Sequence, residues 1–380
     1  MKKLISIFIS ILILGCSSDE NTMIKKLTSL EITSSNGDLL DIGSSTTLMA
    51  MGFDQQNDPI AIMGSPQWSS DNNNVTVDMN GKVTGVAVGK SVVTANVDGI
   101  TSEYEITVWD SSAPRTEIYV SDAGNFSSSG FKILKFNESG KFPEVFIDKN
   151  LAWPQDIVFL ENEGTVLISN LNSNSIGRFN ASTGDYIDDF ATGIDGPTRM
   201  KIGEDDLLYV LQWKGDGLVK RYQLDGTFVD DFTSVGVSQS IGLDWDSDGN
   251  LYVSSFDGKS VRKFDTSGND LGLFVSTNLS GPTNIWFDGS GNLYVNDWQG
   301  NAVKKFDASG DFVSTFISDV VRPEGVAFLE NGNILIGAGN TTNPGTVRMY
   351  SSDGTYINNI VEAGTTNLMN TNAVVLRKVN

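Results

Sequence analysis

The chain has 380 residues, with 47 acidic against 26 basic side chains, no histidine, one cysteine and 39 glycines. That length exceeds a typical single domain, and 39% hydrophobic with 19% charged residues describe an ordinary folded protein, so two or more folded units are expected. A formal charge of −21 argues against a nucleic-acid partner, which needs a basic surface, and the lack of histidine excludes Ser-His-Asp and Cys-His catalysis, histidine bases and histidine-ligated zinc.

Residues 1 to 16 read MKKLISIFISILILGC: two lysines, an apolar run from Leu4 to Leu14, and a small residue before the only cysteine. As a helix that run spans roughly 16 Å, against about 30 Å of bilayer hydrocarbon, so a signal peptide fits and a permanent span does not. Ile13-Leu14-Gly15-Cys16 resembles a bacterial lipobox, which implies removal of residues 1–15 and lipidation of Cys16. Ser17-Ser18-Asp19-Glu20 resembles the surface-export signal of Bacteroidota lipoproteins, so the expected location is the outer membrane, facing the cell exterior. Residues 16–24 then form an acidic tether. Loss of Lys2 and Lys3 takes the body from −21 to −23, so the lipid, not charge, holds it at the membrane.

Over 25–109 short runs alternate apolar and polar residues between turn signals, the pattern of sandwich strands. Asn80-Gly81, between Val75-Thr76-Val77 and Val83-Thr84, supplies a hairpin turn. The stretch from Trp68 to Gly99 resembles the bacterial immunoglobulin-like group 2 domain, which implies a spacer or adhesion module without catalytic residues. Trp68 is expected in its core, Asp71 to Asn74 in a solvated loop, and residues 110–114 as a linker.

From 115 to 380 the sequence repeats. WPQDIVF, GPTRMKI, QSIGLDW, GPTNIWF and RPEGVAF place Pro154, Pro197, Ser240, Pro282 and Pro323 at one position, with steps of 43, 43, 42 and 41 residues. Each unit continues with a second strand such as NLYVS, a third such as VRKFD, and a fourth ending in phenylalanine, which is the plan of a four-stranded propeller blade. Residues 117 to 146 lack a leading strand, and Asn370 to Leu376 has that strand's pattern alone. The expected fold is all-β: a small immunoglobulin-like sandwich followed by a six-bladed β-propeller closed by the C-terminal strand. The repeats resemble the NHL family and its six-bladed relatives.

Segments entering the first strands carry Gln155, Asp156, Thr198, Arg199, Asn284, Glu324 and Asn372, and those after the second strands carry Asp122, Asn170, Gln212, Ser255 and Asp297. Trp213, Phe256 and Trp298 come next on three consecutive blades. Aromatic faces beside Gln212, Arg199 and Asn284 suit a carbohydrate or another polar ligand, or a protein partner. In the plainer reading the aspartates bind backbone N–H groups of their turns and the aromatics pack under loops.

A second set, Glu324, Asp156, Asn284 and Asp297, offers oxygen ligands of the kind calcium takes. Pro323-Glu324-Gly325 and Thr283-Asn284 are similar to metal-ligand segments of gluconolactonase-like propellers, which implies a metal-dependent hydrolase as the alternative to a binding protein. A purely structural envelope protein comes third. Virginiamycin-lyase-like chemistry in its histidine-dependent form is excluded. The third-strand cations Lys220, Arg221, Arg262, Lys263, Lys304 and Lys305 are expected to offset nearby acids.

Overall fold

A computed structural model describes residues 24–124, 126, 130–339 and 344–379. The signal segment, Cys16 and all of the tether but Ile24 lie outside the described residues. The chain divides into two compact units between Ala113 and Pro114.

The first unit is a two-sheet sandwich. In one sheet Ser45–Phe53 pairs with Ser29–Ser34 and Lys82–Gly85, and the latter with Val75–Val77; in the other, Ile100–Trp109 and Gly89–Val97 are central, with Leu39–Asp41 added parallel to Thr107–Trp109. Alternation places Leu48, Val93, Ala95, Ile106 and Val108 inside, with Trp68 packed against them. Gly81 has a φ of 76°, and a Cβ there would meet the Leu48 carbonyl at 2.5 Å and the Trp68 ring at 3.0 Å, so both the turn and the packing need glycine. The Asp71 to Asn74 run is an exposed loop, as expected, that is tied to the neighbouring strand. Asn72 Nδ2 donates to Lys90 O at 2.8 Å, and Asp71 Oδ1 accepts from Val92 N at 2.9 Å.

The second unit contains six four-stranded antiparallel sheets among the described residues. Five run in sequence, with innermost strands Pro154–Leu160, Pro197–Ile202, Ser240–Trp245, Pro282–Phe287 and Val326–Phe328. The innermost strand of the remaining blade is the C-terminal Thr371–Val379, which pairs with Arg115–Asp122 from Arg115↔Val379 to Asp122↔Thr371. The first blade is therefore assembled from both ends of the unit, and the ring closes there.

The apolar interior lies between blades, in one cluster per blade interface. The second strand of each blade is buried on both faces, and its side chains alternate between two neighbours. Leu251 and Val253 pack towards Val210's blade, whereas Tyr252 packs towards Ile285 and Leu293. Hydrogen bonds stitch the same interfaces: Ser169 Oγ donates to Thr198 O at 2.6 Å, Ser254 Oγ to Thr283 O at 2.7 Å and Asn296 Nδ2 to Glu324 O at 2.9 Å. At Gly242 a Cβ would stand 2.1 Å from the Thr283 carbonyl, so this approach of two inner strands requires glycine.

The third-strand cations are paired. Arg221 binds Asp230 at 2.7 Å and Asp205 at 3.1 Å, Lys220 binds Asp231 at 2.7 Å, and Arg262 binds Asp270 at 2.6 Å. Lys263 and Lys305 sit 5.0 and 5.1 Å from the Tyr252 and Tyr294 ring centroids, beside Asp246 and Asp288. These tyrosine hydroxyls donate to the same two aspartates.

Candidate functional site: an aromatic cup with a polar floor

One latch recurs where the second strand ends in five of the six blades, the sixth ending in Ala338. The terminal side chain reaches back to the segment that enters the first strand: Asn170 Oδ1 accepts from Ala152 N at 2.9 Å, Gln212 Oε1 from Asp195 N at 3.1 Å, and Asp297 Oδ1 from Gly281 N at 2.7 Å. Asp122 accepts from Asn370 N at 2.9 Å, and Ser255 Oγ donates to Ser238 O at 2.6 Å. The next residue then donates its own backbone N–H to the same segment, as Trp213 does to Gly196 O, Phe256 to Gln239 O and Trp298 to Gly281 O, at 2.8, 3.1 and 2.8 Å. The latch fixes the backbone of this second residue, and on three successive blades that residue is aromatic.

The three rings are neighbours. Trp213 and Phe256 have centroids 5.5 Å apart and Phe256 and Trp298 5.8 Å apart, tilted at 52° and 64°. With Leu171, Phe126 and Trp153 they wall a cavity of about 290 Å³. Phe126 and Trp153 form a second ring pair at 5.0 Å. Trp153 holds a left-handed φ of 58°, costly for a bulky residue. Its carbonyl accepts from Leu171 N, which holds it in that conformation. Arg322, also left-handed at 50°, lays its guanidinium 4.0 Å from the Trp298 ring.

The cavity floor is polar. Gln155, Thr283, Glu324 and Asn372 line it, each less than 8% exposed. Beneath them Arg199 crosses the channel, its guanidinium donating to the Gln155 carbonyl, to the Asn372 carbonyl and, at 3.1 Å, to Glu324 Oε1. The hydrogen-bond network selects the Asn372 amide orientation in which Nδ2 donates to Glu324 Oε2 at 3.2 Å, while Oδ1 accepts from Trp153 Nε1 at 3.2 Å and Gln155 Nε2 at 2.6 Å. Gln155 Oε1 is buried without a partner.

Past Arg199 the channel reopens as a second chamber of about 280 Å³, to which Asp156, Met200, Leu243, Asn284 and Val326 contribute. Asp156 accepts there from Met200 N at 2.8 Å and Ile157 N at 3.0 Å.

Burial raises the Glu324 carboxyl from 4.5 to about 7, with Arg199 pulling it down and Asp156 adding to the rise. Burial raises Asp156 as well, against the pull of Arg199. A carboxyl with a raised folded-state pKa holds a proton that the unfolded chain has released. Stability from Glu324 therefore grows as pH falls from about 7 towards 4.5. The carboxylates held low, Asp230, Asp246, Asp270 and Asp288, act only at more acid pH. The expected result is a propeller melt at higher temperature near pH 5.5 than near pH 8, with a flatter profile in Glu324→Gln. Identical profiles in the two proteins would show that Glu324 titrates as an ordinary carboxylate.

Of the expected ligand-binding residues, Trp213, Phe256 and Trp298 line the cup. Gln212, Arg199 and Asn284 do not: Gln212 is the latch behind Trp213, with Nε2 donating to Asp216 and Leu218 O; Arg199 lies under the floor; Asn284 lines the second chamber. The four expected metal ligands are not brought together. Glu324 is held by Arg199, Asp156 and Asn284 lie past it, and Asp297 spends its oxygens on the Ser280 and Gly281 N–H groups and on Lys304 at 2.7 Å. No group of three His, Cys, Asp or Glu among the described residues is placed to hold a metal ion. Sequence reasoning missed Trp153 and Phe126 as wall residues; Trp153 directly precedes the repeat's anchoring proline, a position that could have been tracked.

Residues 41–108 match the bacterial Ig-like domain (group 2). No curated protein sequence matches the chain. Among solved structures, one in a crystal structure of a nidogen/laminin complex is 14% identical, with a TM-score of 0.54 over 69% of this chain and 98% of that one. A protein of unknown function from Bacteroides caccae is also 14% identical, with a TM-score of 0.54 over 70% of this chain and 99% of the other. At such identity the likeness bears on the fold alone, and it agrees with a propeller.

Proposed function

We propose that the chain is a lipid-anchored binding protein of the outer membrane, facing the exterior, in which an immunoglobulin-like spacer precedes a propeller that captures a small polar ligand, with carbohydrate the class its cup suits. The lipobox-like ending at Cys16 and the acidic residues after it support the anchor. The binding reading rests on one observation: Trp213, Phe256 and Trp298 stand side by side on consecutive blades around a cavity whose floor is amide and carboxylate. Ring faces stack on the apolar face of a sugar while the floor takes its polar groups, and about 290 Å³ holds a ligand of one or two rings.

The test is a glycan array probed with the whole chain and with Trp213→Ala/Trp298→Ala. Both indoles are partly exposed, so the variant keeps the fold, and its signal is expected to fall more than about tenfold. Undiminished binding by a folded double variant rules the cup out as the site.

A further inference from the structure

The hydrogen-bond inventory of the floor is lopsided. Each side-chain donor group that lines the floor already gives at least one bond: Gln155 Nε2 and Trp153 Nε1 give to Asn372 Oδ1, Asn372 Nδ2 gives to Glu324 Oε2, and Thr283 Oγ1 gives to Pro323 O at 2.9 Å. Arg199, which lines the second chamber and not the cup, gives to two carbonyls and to Glu324 Oε1 and keeps its Nε unpartnered on its own side of the floor. What remains are acceptors. Gln155 Oε1 has no partner although its residue is only 2% exposed, and Glu324 Oε2 accepts from Asn372 alone. The other donors of the lining, the Trp213 and Trp298 indoles and the Gln299 amide, belong to the wall. A ligand that reaches the floor must therefore arrive with hydrogen-bond donors foremost, because a second acceptor would be buried against acceptors.

Charge and wall chemistry narrow the choice between a hydroxyl and an ammonium. Arg199 (+1) is flanked by Glu324 and Asp156, which together outweigh it once both are ionised, a condition met for Glu324 only above its value of about 7. Aromatic faces favour a cation enclosed among them, and the chain's charge of −21 raises the local concentration of cations. Arg322 stays against the outer ring of Trp298, and Lys214 is tied to Leu171 O at 3.5 Å.

We infer that the group seated at the floor of the cup is a protonated primary amine, donating to Gln155 Oε1 and Glu324 Oε2, so that within the carbohydrate class the preferred ligand is an amino sugar with a free amine. This rests on the binding reading above and adds the charge of the ligand to it.

The experiment compares two probes of equal shape, cyclohexylammonium and cyclohexanol, by tryptophan fluorescence of the whole chain near pH 8, above the Glu324 value of about 7. The ammonium is expected to bind at least about tenfold more tightly, as a charge-assisted hydrogen bond in an aromatic enclosure requires. Gln155→Leu, which removes the unpartnered oxygen together with the Nε2 bond to Asn372 and leaves the Arg199 contacts to backbone in place, is expected to erase most of that preference in a chain that still melts cooperatively. Equal affinity for the two probes, or a preference unchanged in Gln155→Leu, overturns the inference. If the array shows binding of uncharged sugars that is lost in the tryptophan variant while cyclohexylammonium does not bind, the cup stands as a site and the ammonium fails; if neither binds, both readings fail.

Discussion

A chain ending at Asn370 is expected to lose the cooperative unfolding transition of its propeller. Thr371–Val379 is the inner strand of the first blade and the seal between two interfaces, with Ala373 in one interblade cluster and Val374 in the other. Val375 and Leu376 pack against the same clusters. At about 1.5–3 kcal/mol for each large side chain buried, the loss reaches the scale of a whole domain's net stability of about 5–15 kcal/mol. Removal also bares an edge of Arg115–Asp122, a template for aggregation. Calorimetry of the truncated chain checks this. A propeller transition at the full-length temperature would mean that the ring is held without its closing strand.

Arg199→Met is expected to be the most damaging single substitution in the channel. It removes the cation that faces Glu324 and strips three donors from the floor, leaving two buried carboxyls near each other. Breaking a buried pair from one side costs about 3–5 kcal/mol. The cost should shrink near pH 5.5, because Glu324 escapes it by binding a proton. Arg199→Met/Glu324→Gln should recover part of the loss, since the unpaired charge is gone. Denaturant titrations at two pH values measure both effects, and equal destabilisation at either pH would show that the lost packing of the arginine, rather than the exposed charge, sets the cost.

The architecture was readable because a blade's second strand is buried on both faces. Runs such as LLYVL and NLYVS must stay apolar throughout, and the cation-bearing third strand must follow, so the period survives when individual residues vary. The wall of the cup was readable for a related reason: Trp213, Phe256 and Trp298 follow a latch residue that recurs at one place in five of the six units. Phe126 escaped because it comes four residues after the latch Asp122, whereas the aromatics of the other blades follow theirs directly. The floor was readable in part: Gln155, Glu324 and Asn372 were named on the entering segments, but not how they pair. Arg199 and Glu324 are 125 residues apart and meet only because the ring brings the third and sixth blades face to face across the channel. The supposed metal ring mixed levels of the channel: Asp156 and Asn284 sit one residue beyond Gln155 and Thr283, which is enough to put them on the far side of Arg199, and Asp297 belongs to a turn. Spacing along the chain names the strand a residue is on, but the depth at which its side chain opens depends on what crosses the pore.

The pairing of Arg115 with Val379 has a topological consequence. The chain enters and leaves the ring at neighbouring positions of one sheet, so a single backbone cut in a hairpin of any other blade frees no strand: each fragment remains hydrogen-bonded into a sheet and packed on both sides. The two ends can equally be joined by a short peptide and new ends opened at an exposed turn such as Gly289-Ser290 without altering strand order around the channel. A ring with one shared doorway converts nicking by a protease from a lethal event into a silent one.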